Sequence, residues 1–161
     1  MSVDRVREYL KPFGLADQIL EFETSSATVQ LAAQAAGVIP ARNAKTLSFM
    51  LPDGPMLVVA AGDARIDNPK FKAQFHAKAK MLTFEEVSER IGHGVGGVCP
   101  FAIEDGVRTC LDVSLRRFET VYPACGSANS AIRLTPGQLE AVAQNCQGWV
   151  DVCKDWDPSL S

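Results

Sequence analysis

The stretch Lys45-Thr-Leu-Ser-Phe-Met-Leu51, Pro52-Asp-Gly-Pro55, Met56-Leu-Val-Val-Ala-Ala61 sets two apolar runs on either side of a turn. Proline presets the φ such a turn needs, and glycine reaches positive φ values that other residues resist. Two apolar runs joined this way predict a β-hairpin over Lys45–Leu51 and Met56–Ala61. Upstream, residues 2–11 predict a helix with Val3, Val6 and Leu10 on one side, stopped by Pro12 and Gly14. Gln18–Glu23 suits a strand, and Ser26 or Thr28 can cap a helix running through Leu31, Ala32, Ala35 and Ala36 to Gly37.

Downstream, Asp67-Asn-Pro69 opens a helix with Phe71, Phe75 and Ala79 as its apolar stripe. Thr83-Phe-Glu-Glu86 is a capping box for a helix to Ile91. Val107–Leu111, Glu119–Ala124 and Ala131–Leu134 read as strands, with one helical turn at Asp112–Leu115. Thr135 and Pro136 take the N-cap and first position of a last helix, against which Trp149 and Trp156 pack. Helices and strands alternate irregularly, so the expected class is α+β with a mixed, mostly antiparallel sheet flanked by helices. No repeat or linker interrupts residues 1–161, which read as one domain.

Composition narrows the function. The chain is 47% hydrophobic and 22% charged with net charge −3, so a nucleic-acid partner needs a local basic face. Neither a signal peptide nor a membrane span is expected, and with five cysteines and no C-x-x-C pair the thiols read as reduced and cytoplasmic. Two histidines, His76 and His93, make no ligand spacing, so neither a metal nor a cofactor is expected.

Chemistry concentrates in Gly92-His-Gly-Val-Gly-Gly-Val-Cys-Pro-Phe101, four glycines in six residues followed by a rigid Pro100. Such a loop either makes a tight connection or brings main-chain donors to a small ligand. It lacks the Gly-Lys-Ser/Thr of a phosphate loop and the strand–loop–helix setting of a dinucleotide site. Cys99 is a nucleophile only with a base, for which His93 is the neighbour, though His93 reads first as a loop surface residue. Lys45 reads as a solvent-facing strand-end lysine or as a cation awaiting a phosphate or carboxylate. Gly126-Ser-Ala-Asn-Ser130 reads as a turn or as a polar pocket wall. With no carboxylate dyad and no Ser/His/Asp set, catalysis by positioning and main-chain dipoles is the enzymatic option.

Taken in order, Ala44-Lys45-Thr46-Leu47, then Gly62-Asp-Ala-Arg-Ile-Asp67, Gly94 to Phe101, Leu111-Asp-Val-Ser-Leu115 and Gly126 to Ser130 before Ile132-Arg-Leu134 resemble the YbaK/ProX-type aminoacyl-tRNA editing domain over residues 20–152. The resemblance implies a partly barrel-like sheet. It also implies a trans-acting deacylase that hydrolyses the ester of mischarged tRNA-Pro carrying a small wrong amino acid such as Ala, Cys or Ser. The implied partners are the aminoacyl-tRNA 3′ end and a synthetase, with no membrane and no DNA. By the same resemblance Lys45, Gly96, Gly97 and Pro100 are the catalytic set, the lysine near the 3′-terminal adenosine phosphate or the ester and the loop around the aminoacyl carbonyl and ribose. Thr28, Thr46, Leu47, Val98, Cys99, Gly126, Asn129 and Ser130 would line the substrate. Some members carry an aspartate where this chain has Ala131, which leaves open a noncatalytic binding module of the same fold. Arg42, Lys45, Lys70, Lys72, Lys78 and Lys80 are the candidates for a basic face.

Overall fold

In the computed structural model, which describes residues 2–23, 33, 37–94 and 96–161, the hairpin is the spine. The elements in chain order are α1 (Ser2–Leu10), β1 (Leu20–Glu21), β2 (Asn43–Leu51), β3 (Gly54–Ala61), β4 (Arg65–Ile66), α2 (Asn68–Phe75) and α3 (Phe84–Glu86). There follow β5 (Arg108–Asp112), β6 (Tyr122–Pro123), β7 (Ser130–Ala131), α4 (Pro136–Val142), β8 (Cys146–Val150) and β9 (Cys153–Lys154). A curled five-stranded sheet has the order β6-β2-β3-β5-β8, and β1–β7 and β4–β9 form small antiparallel pairs. The class is α+β with a mixed sheet. The long β2–β3 ladder, from Ala44 opposite Ala61 to Leu51 opposite Gly54, is antiparallel. The other three neighbour pairs of that sheet are parallel: β5 and β8 run in the direction of β3, and β6 in that of β2.

Met56 to Ala61 are all buried, as a central strand covered on both faces requires. Cross-strand partners share a face, so Lys45, Leu47 and Phe49 lie with Ala60, Val58 and Met56. That face meets α2, where the Phe49 and Phe71 rings stand 4.8 Å apart. Thr46, Ser48 and Met50 project to the opposite face with Val59 and Leu57. There Met50 and Leu57 pack in one cluster with Ile91, Val98, Ile103 and Val107.

Several expected boundaries move. Asp67 caps α2 by accepting from the Lys70 amide at 3.0 Å, but the helix ends at Phe75 with His76 at φ 58. Ala79 therefore lies outside it, in a segment that runs along β2 through Met50 N to Lys80 O at 2.8 Å and Leu82 N to Ser48 O at 3.2 Å. The Thr83 capping box holds, and the helix continues to Ile91 as a π-turn ended by Gly92 at φ 98. The strands expected over 18–23, 119–124 and 131–134 shrink to β1, β6 and β7, since the curled chain pairs only briefly there. Trp149 sits on β8, a strand not foreseen from sequence because Gly148, at φ 112, breaks its apolar alternation. The helix expected before Gly37 falls on residues 26–36, which lie outside the described residues apart from Ala33.

Candidate active site

The glycine loop folds against a second glycine turn. A Cβ placed on Gly97 would stand 2.5 Å from the Gly126 carbonyl carbon and 2.7 Å from the Ser127 nitrogen. Gly96 and Gly126 themselves adopt φ 90 and φ 92, left-handed values that a side chain resists. The close approach inferred from the glycines is thus, in part, one loop backbone lying on another. The Gly97 amide donates to Gly94 O at 3.0 Å, and Pro100 O accepts from the Gln144 amide at 2.8 Å. The loop is pinned at both ends before any ligand arrives.

The second turn is satisfied internally. Ser127 Oγ lies 2.8 Å from both Asn129 Oδ1 and Ser130 Oγ, and Ser130 Oγ accepts from the Cys125 amide at 3.3 Å. Asn129 reaches outward: its Nδ2 donates to Phe22 O at 2.9 Å, and its own carbonyl accepts from Phe22 N at 2.8 Å. It therefore anchors the chain just before the segment that carries Thr28, which lies outside the described residues.

His93 is buried at 1% exposure, against the surface position expected of it. Its Nε2 donates to Phe101 O at 2.6 Å, a carbonyl that can only accept. With that proton fixed, Nε2 has no lone pair for the Cys99 thiol 3.5 Å away, and the thiol points to Phe101 O as well. Burial lowers the imidazole pKa, and Nδ1 has no hydrogen-bond partner among the described residues. Burial likewise pushes the Cys99 thiol up to about 12. A fully buried, protonated sulfur beside a neutral imidazole is not a nucleophile–base pair. Cys99 can meet a ligand only through its main chain.

Lys45 is held differently. Its ammonium donates to Ala64 O and, at 3.3 Å, to Gly62 O, in the loop that follows β3. No carboxylate lies within ion-pair distance of it among the described residues. Desolvation is the largest influence on its pKa and lowers it. An ammonium half out of water with only neutral partners is a charge prepared for an anion. No hydrogen bond among the described residues joins it to residues 96–100. Strand alternation sets Lys45 and Leu47 on the α2 face, while Thr46, whose Oγ1 has no partner among the described residues, shares the face of Met50 and Val98. Val98 packs there, whereas Cys99 and Phe101 join the main core with Phe49 and Val58, so the glycine loop contributes to both clusters.

The remaining cations sort by partner. Arg42 donates to Thr120 O at 3.2 Å and lies over the Tyr122 ring, bracing β6. Lys70 pairs with Asp151 at 3.1 Å. Lys72, Lys78 and Lys80 are exposed and make no ion pair among the described residues. No group of three or more His, Cys, Asp or Glu among the described residues is placed to hold a metal. No described helix is long and apolar enough to cross a membrane.

A model of the aminoacyl-tRNA editing domain matches residues 23–142, which include both glycine turns and Lys45. The chain belongs to the aminoacyl-tRNA editing domain family. A curated relative, "Uncharacterized protein YwhH" of Bacillus subtilis (strain 168), is 51% identical over 158 residues, covering 98% of this chain and all of its own. Among solved structures, one named as a candidate trans-editing enzyme for prolyl tRNA synthetase superposes with a TM-score of 0.86 at 29% identity. That match covers 95% of this chain and 97% of the other. The hypothetical protein APE2540 superposes with a TM-score of 0.82 at 28% identity, covering 93% and 99%. The editing-domain fold therefore extends over nearly the whole chain.

Proposed function

We propose that this editing-domain protein is a trans-acting deacylase, hydrolysing the ester of tRNA-Pro mischarged with a small amino acid such as Ala, Cys or Ser. The observation that carries the reading is the Lys45 ammonium, half-buried and bonded, among the described residues, only to the Gly62 and Ala64 carbonyls within an editing-domain fold. An aminoacyl ester is already activated, so its hydrolysis requires a positioned water and stabilisation of the developing oxyanion. The loop around Gly97 can supply main-chain donors for that charge. Gly97 itself donates to Gly94, so the donors are assigned to the amides on either side of it. Lys45, tied to the Gly62 and Ala64 carbonyls, is assigned to anchoring a phosphate of the tRNA 3′ end. A pocket small enough to exclude proline would make the domain a second sieve.

The test is ester loss from Ala-, Cys-, Ser- and Thr-charged tRNA-Pro with purified protein. Turnover of at least one, with Pro-tRNA-Pro spared, is expected. Tight binding of every substrate without hydrolysis would assign the fold to recognition alone.

A further inference from the structure

The acid nearest in sequence to the Lys45 carbonyl clamp is Asp63, which stands between the two residues, Gly62 and Ala64, that hold the ammonium. A carboxylate so placed is the obvious ion-pair partner for a half-buried lysine. It points elsewhere. Arg117 grips it with both tines of the guanidinium, Nη2 to Oδ1 at 2.5 Å and Nη1 to Oδ2 at 2.9 Å. The Asp157 amide adds a third bond to Oδ2 at 3.2 Å.

Arg117 is built to hold that grip. Its side chain is 6% exposed. Its centre lies 4.6 Å from the Phe118 ring and 4.8 Å from the Trp156 ring, and it donates further to Ser114 O and Asp157 O. A planar fork stacked between aromatics resists exchange for a flexible ammonium. Burial would raise the Asp63 pKa, yet the bonds from Arg117 and Asp157 outweigh it and keep the carboxylate ionised. Cys153, the other acid near Lys45, has its thiol pushed up to about 12 by burial and is neutral.

We propose that Arg117 acts as a positioning residue by sequestering Asp63, so that the Lys45 ammonium stays out of a direct ion pair and open to an anionic ligand. The inference rests on the editing reading only for the identity of that anion, a phosphate of mischarged tRNA. Without Arg117, the ionised Asp63 is free to swing onto Lys45 and neutralise it.

Three variants separate this from a merely structural ion pair. R117Q is expected to weaken binding of tRNA by about tenfold. D63N, which leaves Lys45 without an acid, is expected to bind within about threefold of the parent. The double variant D63N/R117Q is expected to regain that affinity. A structural pair would instead make D63N as harmful as R117Q and the double variant no better, which overturns the proposal. The second readout needs no tRNA: trace acetylation of Lys45 by acetic anhydride, followed by mass spectrometry against Lys72 and Lys78. It should slow several-fold in R117Q alone and recover in the double variant. If labelling follows this pattern while tRNA is neither bound nor hydrolysed, the sequestration stands and the editing reading fails. If Lys45 labels equally in all three, the sequestration fails whatever the tRNA result. Should R117Q not fold by circular dichroism, R117K, which keeps the charge but loses the fork, is expected to show the same changes more weakly.

Discussion

Gly97 lies so close to Gly126 that a methyl group on the first would stand 2.5 Å from the carbonyl carbon of the second. Neither partner can yield by rotating a side chain, because the contact is backbone on backbone. The two turns thus set each other's position.

Gly97→Ala should therefore push the loops apart and cost more than tenfold in deacylation, with a lowered Tm. Gly94→Ala is the control, since a Cβ there meets nothing within 4 Å and needs no left-handed φ. Steady-state rates and thermal melts of the two variants decide the matter. Equal behaviour would mean that the Gly97 contact does not shape the site.

Lys45→Ala removes the only charge that the site contributes from β2. The expected loss in kcat/KM is about 100-fold, or about 2.7 kcal/mol of transition-state stabilisation. Because the assigned role is anchoring, most of it should appear in KM. A loss confined to kcat would instead put the ammonium at the reacting ester.

Cys99 should play no covalent part. With its thiol near 12 and fully buried, iodoacetamide at neutral pH should leave it unmodified and leave activity intact. Peptide mapping after alkylation checks this. Inactivation in step with Cys99 labelling would restore thiol chemistry to the mechanism.

His93 links folding to pH. Its pKa is lowered in the fold, first by burial, so the unfolded chain binds a proton near the ordinary imidazole value of about 6.5 before the native state does. The stability tied to its neutral form is complete above that value and is lost as pH falls from there toward the lower folded pKa. Melts from pH 7.5 to 5 should show a declining Tm in the parent. In His93→Gln the decline should flatten, and an unchanged slope would assign it to other groups.

What the sequence determined by itself was local. The hairpin, the Asp67, Thr83 and Thr135 caps and the editing-domain motifs were legible because turn chemistry, capping and backbone demands act within a few residues. Strand β8 escaped because its pairing partner, β5, is remote and Gly148 interrupts the pattern. Tertiary structure alone decided which face of β2 each residue takes, that His93 is buried, and that Asp63 answers to Arg117 rather than to Lys45. Those outcomes depend on contacts between segments dozens of residues apart. Short-range preference does not encode them; only the packed chain brings the partners within bonding distance.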